Sequence, residues 1–326
     1  MRTKFLIRIF QICSLIISLT SLCGRLSSYE LTQTNLNMKY SLLFILFGLF
    51  HIQSNAQWTE EQKILAQVPG FPFTTDGDDS MGRSVAIDGN YAIVGVPGSN
   101  LNNNSGTAFV YHWDGSAWVE DRALFSSDGA AGDQFGYSVS ISGTTALVGA
   151  YFDDDNGSNS GSAYVFEKDQ GGTNNWGQLA KLTASDGAVD DNFGYSVSIS
   201  GTTALVGAYR DADNGSNSGS AYVFEKDQGG TNNWGQLTKL TASDGASSDN
   251  FGYSVSISGS TALVGAYGDA DNGTSSGSAY VFEKDQGGTN NWGQLAKLTA
   301  SDGAYSDYFG YSVAISGSTA LVGAYG

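Results

Sequence analysis

The motif Phe-Gly-Tyr-Ser-Val occurs four times, at Phe135, Phe193, Phe251 and Phe309, and each copy begins 58 residues after the last. In the complete copies the same phrases follow at the same offsets: Thr-Ala-Leu-Val-Gly-Ala-Tyr, then Gly-Ser-Ala-Tyr-Val-Phe, then Asn-Asn-Trp-Gly-Gln-Leu. A fixed period of this kind marks a repeat architecture, in which each unit buries its apolar face only against its neighbours. The repeat therefore sets the fold before any other feature is considered.

One unit, residues 135–192, reads as four strands. Phe135, Tyr137, Val139 and Ile141 alternate with Gly136, Ser138, Ser140 and Ser142, a strict period of two with one large and one small face. A short turn at Ser142-Gly143 leads into residues 145–151, apolar on both faces. A loop of Asp, Asn, Gly and Ser follows, then a third strand over 162–166 and a fourth over 176–183. Four short antiparallel strands with both faces apolar or small imply sheets sandwiched between like sheets, the large face of one unit on the Ser/Gly face of the next. The expected fold is all-β, a β-propeller of four-stranded blades. A β-solenoid is the alternative, though it normally has shorter coils. The 44 Gly and 3 Pro suit many strands joined by tight turns.

The pattern extends upstream. Met81-Gly82-Arg83-Ser84-Val85 reads as a divergent Phe-Gly strand, with further strands over 91–96, 107–112 and 118–124. Asp88-Gly89 is a type I′ turn signal. Residues 58–66 resemble the Trp-Gly-Gln-Leu strand, as expected of a lone strand that closes a last blade. The chain stops two strands into a fifth blade. The expectation is a C-terminally truncated propeller: one strand, four full blades and half a fifth over 57–326.

The N-terminus holds two apolar stretches. From Met38 the sequence runs Met-Lys, an apolar run over 40–50, and Ser54-Asn55-Ala56 before Gln57, the pattern of a secretory signal peptide over 38–56. Residues 1–37 are then an upstream segment outside the translated product, or an extra hydrophobic anchor. The expected location is secreted or cell-surface, with membrane contact confined to the N-terminal signal or anchor. Residues 57–326 carry ten basic and 31 acidic residues, a net −21. This excludes nucleic acid as a partner, because its binding needs a basic footprint. Both cysteines, Cys13 and Cys23, precede the expected cleavage site, so no disulfide or thiolate metal site is expected in the mature protein.

The Phe-Gly strand followed by Val-Gly-Ala-Tyr, with Val-Gly-Val-Pro at residues 94–97 of the first unit, resembles the FG-GAP repeat. The resemblance covers about residues 58–326. It implies the propeller of integrin α chains and many bacterial surface proteins, commonly seven-bladed, on an exported protein that binds something outside the cell. In integrin-type repeats, calcium sits in an Asp-rich loop between the first two strands. Here that loop is Ser142-Gly143, Ser200-Gly201, Ser258-Gly259 or Ser316-Gly317, without carboxylates.

The acids lie elsewhere. Asp153, Asp155 and Asn156 fall between strands two and three, as do Asp211, Asp213 and Asn214, and Asp269, Asp271 and Asn272. Asp128 and Asp133, Asp186 and Asp191, Asp244 and Asp249, and Asp302 and Asp307 fall in the crossovers between blades. Strand parity places both sets on one face. One reading is a ring of calcium sites at Asp153, Asp155, Asp211, Asp213, Asp269 and Asp271, because hard cations take carboxylate oxygens. The other is turn chemistry, in which Asp and Asn cap tight loops. The Asp-x-Asp-Asn-Gly phrase departs from an EF-hand loop: its Gly comes one position early, and Tyr222 stands where a bidentate Glu is required.

Asn103, Asn156, Asn214 and Asn272 open glycosylation sequons. Trp176, Trp234 and Trp292 fit packing between blades better than sugar stacking. Beyond the signal region His112 is the only histidine, so no Ser/His/Asp set can be assembled. A catalytic site on a propeller usually breaks the repeat symmetry, and on this reading nothing in 135–308 does. The expected function is a non-catalytic binding or adhesion module for an extracellular protein or glycan. The alternatives are a structural array serving as spacer or coat, and a propeller enzyme whose active residues lie in further blades.

Overall fold

A computed structural model describes Gln62 and residues 80–326. The signal region, the upstream segment and most of the proposed closing strand lie outside the described residues. The remainder is all-β: four four-stranded antiparallel sheets and one two-stranded sheet, each in simple sequential order. Blade one comprises Val85–Asp88, Tyr91–Val96, Thr107–Trp113 and Trp118–Leu124. Blade two comprises Ser138–Ser142, Thr145–Ala150, Ser162–Glu167 and Gly177–Leu182. Blade three has Phe193–Ser200, Thr203–Ala208, Ser220–Glu225 and Gly235–Leu240, and blade four has Phe251–Ser258, Thr261–Ala266, Ser278–Lys284 and Trp292–Leu298. Ser312–Ser316 and Thr319–Gly323 form the final hairpin.

The core lies between blades. Leu147, Val165 and Leu182 of blade two pack on Phe193, Val197, Ile199 and Trp234 of blade three. Leu205, Val223 and Leu240 meet Phe251, Val255, Ile257 and Trp292 in the same way. The large face of the first strand in blades three and four thus looks back at the preceding blade, whose serine face receives it. Trp176, Trp234 and Trp292 are at most 4 % exposed, which settles them as packing residues. The indole N–H of Trp176 donates to Asp121, whereas those of Trp234 and Trp292 find no acceptor among the described residues. The cause is local: one repeat on from Asp121 stands Leu179, and then Leu237.

The serines do more than leave room. The first strand is the sheet edge, and an unpaired edge exposes backbone groups that need partners. Ser138 Oγ donates to Gly194 O at 2.8 Å, while Ser140 Oγ accepts from Ile199 N–H and Ser142 Oγ from Gly201 N–H, both at 3.1 Å. Equivalent bonds run from blade three to blade four and on to the hairpin.

Both glycines of the motif belong to this contact. Gly194 has φ +85°, and a Cβ there would lie 2.2 Å from Ser162 O. A Cβ on Gly149 would lie 2.0 Å from Gly194 O. The hairpin turns are Gly143-Thr144 and its repeats, because Ser142 pairs with Thr145. Likewise Asp88 pairs with Tyr91, which leaves Gly89-Asn90 as the turn. Gly89 has positive φ and Asn90 does not, the φ pattern of type II′ in place of the expected I′.

Candidate functional site

Strand parity holds: the loops between strands two and three and the crossovers between blades meet on one face. Asp128 from the crossover comes together with Asp153 and Asp155 from the next loop, with carboxylate oxygens within 4.8 Å of one another. Asp186, Asp211 and Asp213 repeat the group, as do Asp244, Asp269 and Asp271. The central member is buried each time: Asp153, Asp211 and Asp269 are 3–4 % exposed. The aspartates expected to bind calcium are therefore brought together, each pair joined by a crossover carboxylate.

Each group also contains an ammonium. Lys181 Nζ lies 2.7 Å from Asp128, 3.2 Å from Asp153 and 2.5 Å from Asp155. Lys239 lies 2.8 Å from Asp186 and 2.9 Å from Asp211, and also pairs with Asp213. Lys297 lies 2.7 Å from Asp244, 2.9 Å from Asp269 and 2.5 Å from Asp271. The lysines come from the fourth strand, which pairs with the third so that Lys181 stands opposite Tyr164. The Tyr164 hydroxyl is 2.9 Å from both Asp128 Oδ1 and Asp153 Oδ2. Burial works against the charge on Lys181, but hydrogen bonds to Asp128 and Asp155 and the Asp153 charge outweigh it and raise its pKa. Burial likewise disfavours the Asp128 carboxylate, but hydrogen bonds from Lys181 and Tyr164 prevail and hold its pKa down.

The second crossover acid behaves differently. Asp133, Asp191 and Asp249 each accept a backbone N–H three residues upstream at 2.7 Å. Among the described residues they have no lysine within bonding distance, and burial pushes Asp133 and Asp191 up to about 6, with neighbouring aspartates adding to the rise.

Toward the inner strands the face is lined with tyrosine. A bulge at Gly194 takes Tyr195 out of the apolar alternation. Successive rings of Tyr137, Tyr195, Tyr253 and Tyr311 stand 4.9–5.0 Å apart, and the Tyr137 and Tyr195 hydroxyls are 3.1 Å apart. Tyr151, Tyr209 and Tyr267 pack at 4.4–4.5 Å beside the first three.

The repeat symmetry breaks at blade two. Phe152 and Asp154 correspond to Arg210 and Ala212 in blade three and to Gly268 and Ala270 in blade four. Phe152 packs against Tyr151, tilted 41° to it, with ring centroids 4.0 Å apart. A depression of about 350 Å³ lies there, lined among others by Asp128, Asp133, Phe152, Asp153 and Asp154. The near-identity of the units hid this departure. The lysines and the tyrosines bonded to the buried aspartates, Tyr164, Tyr222 and Tyr280, were also missed, although Lys181, Lys239 and Lys297 recur at one fixed offset from the aspartates and carried the available signal. His112 is bound to Asp121 at 2.6 Å between the third and fourth strands of blade one, away from these clusters.

Comparison with curated proteins finds no match. The family model for the FG-GAP repeat matches residues 58–111, 118–166, 176–224, 234–282 and 292–326. Each complete match within the described blades starts at the fourth strand of one blade and ends in the third strand of the next, so the family unit spans the interface between blades. With its repeat glycines at that interface and most of its length covered, the chain belongs to the FG-GAP repeat family.

Proposed function

We propose that the chain is an exported, non-catalytic recognition module whose loop face takes a cationic group of an extracellular protein partner. The observation that carries this reading is the depression at blade two, where the repeat gives way to Phe152 and Asp154. Asp128, Asp153 and Asp155 share Lys181, while Asp133 and Asp154 have no lysine partner among the described residues. Carboxylates in excess beside an aromatic ring suit an ammonium or guanidinium, through charge and cation–π attraction. Export is supported by the signal pattern ending at Ala56. The reading without catalysis is supported by a sequence with no cysteine after Cys23, and by its one histidine beyond the signal region, His112, which lies on the third strand of blade one and not among the residues lining the depression.

Immobilised protein is tested against a lysine-rich peptide, an arginine-rich peptide and an array of neutral glycans, beside the double variant Phe152→Ala/Asp154→Asn. Peptide binding that weakens about tenfold in the variant, the loss of about 1.4 kcal/mol, supports the reading. Peptide binding unaffected by the variant, or binding to glycans alone, overturns it. The structural-array reading has its own support: Lys226 of blade three pairs with Glu167 of blade two at 3.3 Å, and Lys284 repeats the pair with Glu225 at 3.4 Å.

A further inference from the structure

We propose that Lys181, Lys239 and Lys297 are the resident cations of the three carboxylate cages, so that this loop face is held together by tethered ammonium groups in place of a divalent metal. The stoichiometry fits an ammonium. Lysine has three N–H donors, and each Nζ meets three carboxylates. Calcium takes six to eight oxygens, and the cage assembles three carboxylates with a phenol already shared between two of them. The ammonium also lies 5.2–5.3 Å from the centroid of the cage tyrosine in all three copies. Its side chain is 17 % exposed each time, so an incoming metal has to displace it.

Blade one provides an internal control. There Phe109 replaces the tyrosine and Ala123 the lysine, and they pair with each other as Tyr164 and Lys181 do. The loop between its second and third strands, residues 97–106, contains no carboxylate. Lysine, phenol and loop acids are thus present together in three blades and absent together in one, as parts of a single device would be. The cage also crosses the seam of the family unit, with Asp128, Asp153, Asp155 and Tyr164 in one match and Lys181 in the next. The lysine therefore pins the incoming crossover and the loop onto the outer strand of the same blade. Tethering gives the ammonium a high effective concentration at the cage, against which a metal at extracellular levels must compete.

The experiment follows thermal melting and tyrosine-sensitised terbium luminescence of the whole chain, with calcium, with chelator, and for Lys239→Met. The wild-type chain is expected to melt at the same temperature with millimolar calcium and with chelator, and to give no terbium emission. Lys239→Met is expected to melt several degrees lower, to regain that loss with calcium, and to bind terbium through the vacated carboxylates beside Tyr222. Wild-type emission that Asp213→Asn abolishes, or a melting temperature raised by calcium, overturns the proposal, as does a Lys239→Met chain that melts like wild type. If Lys239→Met does not fold, the wild-type calcium and terbium responses decide the matter alone.

Discussion

Aspartate has three roles on the loop face, and its surroundings assign them. Asp128 and its repeats sit against lysine and tyrosine and are held ionised. Asp153 and its repeats are buried at the centre of the cage. Asp191 is buried without an ion pair among the described residues, and burial raises its pKa from 3.8 to about 6 against the weaker pull of the Lys239 charge. A carboxylate whose folded-state pKa is raised costs stability when ionised. That cost is present in full above about pH 6 and is relieved as pH falls toward the unfolded value of about 4. Asp186 contributes with the opposite sign, because its lowered pKa adds stability that is lost only below that range. Asp191→Asn keeps an oxygen acceptor for Ala188 N–H and removes the charge. We expect the variant to melt about 2–4 °C above wild type at neutral pH, the shift that about 1 kcal/mol gives in a domain of this size. The gap should close near pH 4–5, and melting curves at both pH values check it; an equal gap at both would exclude the ionisation. The sequence shows that Asp186 and Asp191 are five residues apart in one loop. It does not show that one meets Lys239, because that contact depends on the pairing of the third and fourth strands.

The Phe-Gly strand was legible as a strand and partly misread as a surface. Strict alternation placed Tyr195 with Phe193 and Val197, whereas the bulge at Gly194 turns it onto its neighbours' tyrosines. A glycine at an alternating position is the usual mark of a bulge or of close backbone approach, so the signal was present in the motif itself. Two glycines in blade four separate these causes. Gly252 has φ +86°, and a Cβ on it would lie 2.2 Å from Ser220 O; Gly259 has φ +59° with nothing within 4 Å. Gly259→Ala carries backbone strain alone and should cost about 1 kcal/mol. Gly252→Ala adds a backbone clash across the blade interface and should cost about 3 kcal/mol or more. Urea unfolding midpoints measure both, and equal costs would show that left-handed strain dominates over the close approach of the blades. The four strands and their order needed only the hydrophobic alternation and the turn residues. The serine bonds to the next blade were hidden, because a small side chain reads as space until the neighbouring edge is in place.

At the scale of the whole molecule, the 58-residue period predicted stacked four-stranded sheets, and the described blades have that form. The repeat's near-identity makes the apolar interface between blades two and three nearly the same as that between three and four, with Thr238 in place of Ala180. Stability in such a stack is the sum of unit terms and nearest-neighbour terms. Excision of residues 193–250 joins Asn192 to Phe251 and regenerates the Asp-Asn-Phe sequence that precedes each of these two blades. Blade two then presents Leu147, Val165 and Leu182 to Phe251 and Ile257, which already pack against Leu205, Val223 and Leu240 of identical type. The shortened chain should remain folded and cooperative, with a melting temperature lowered by the loss of one interface. Circular dichroism and urea unfolding of the excised chain test this. A chain that loses its β signature would mean that closure with a fixed number of blades stabilises the fold, and that contacts between adjacent blades are insufficient. In that case the array reading would lose its physical basis, since a spacer built by duplication must tolerate a change in the number of its units.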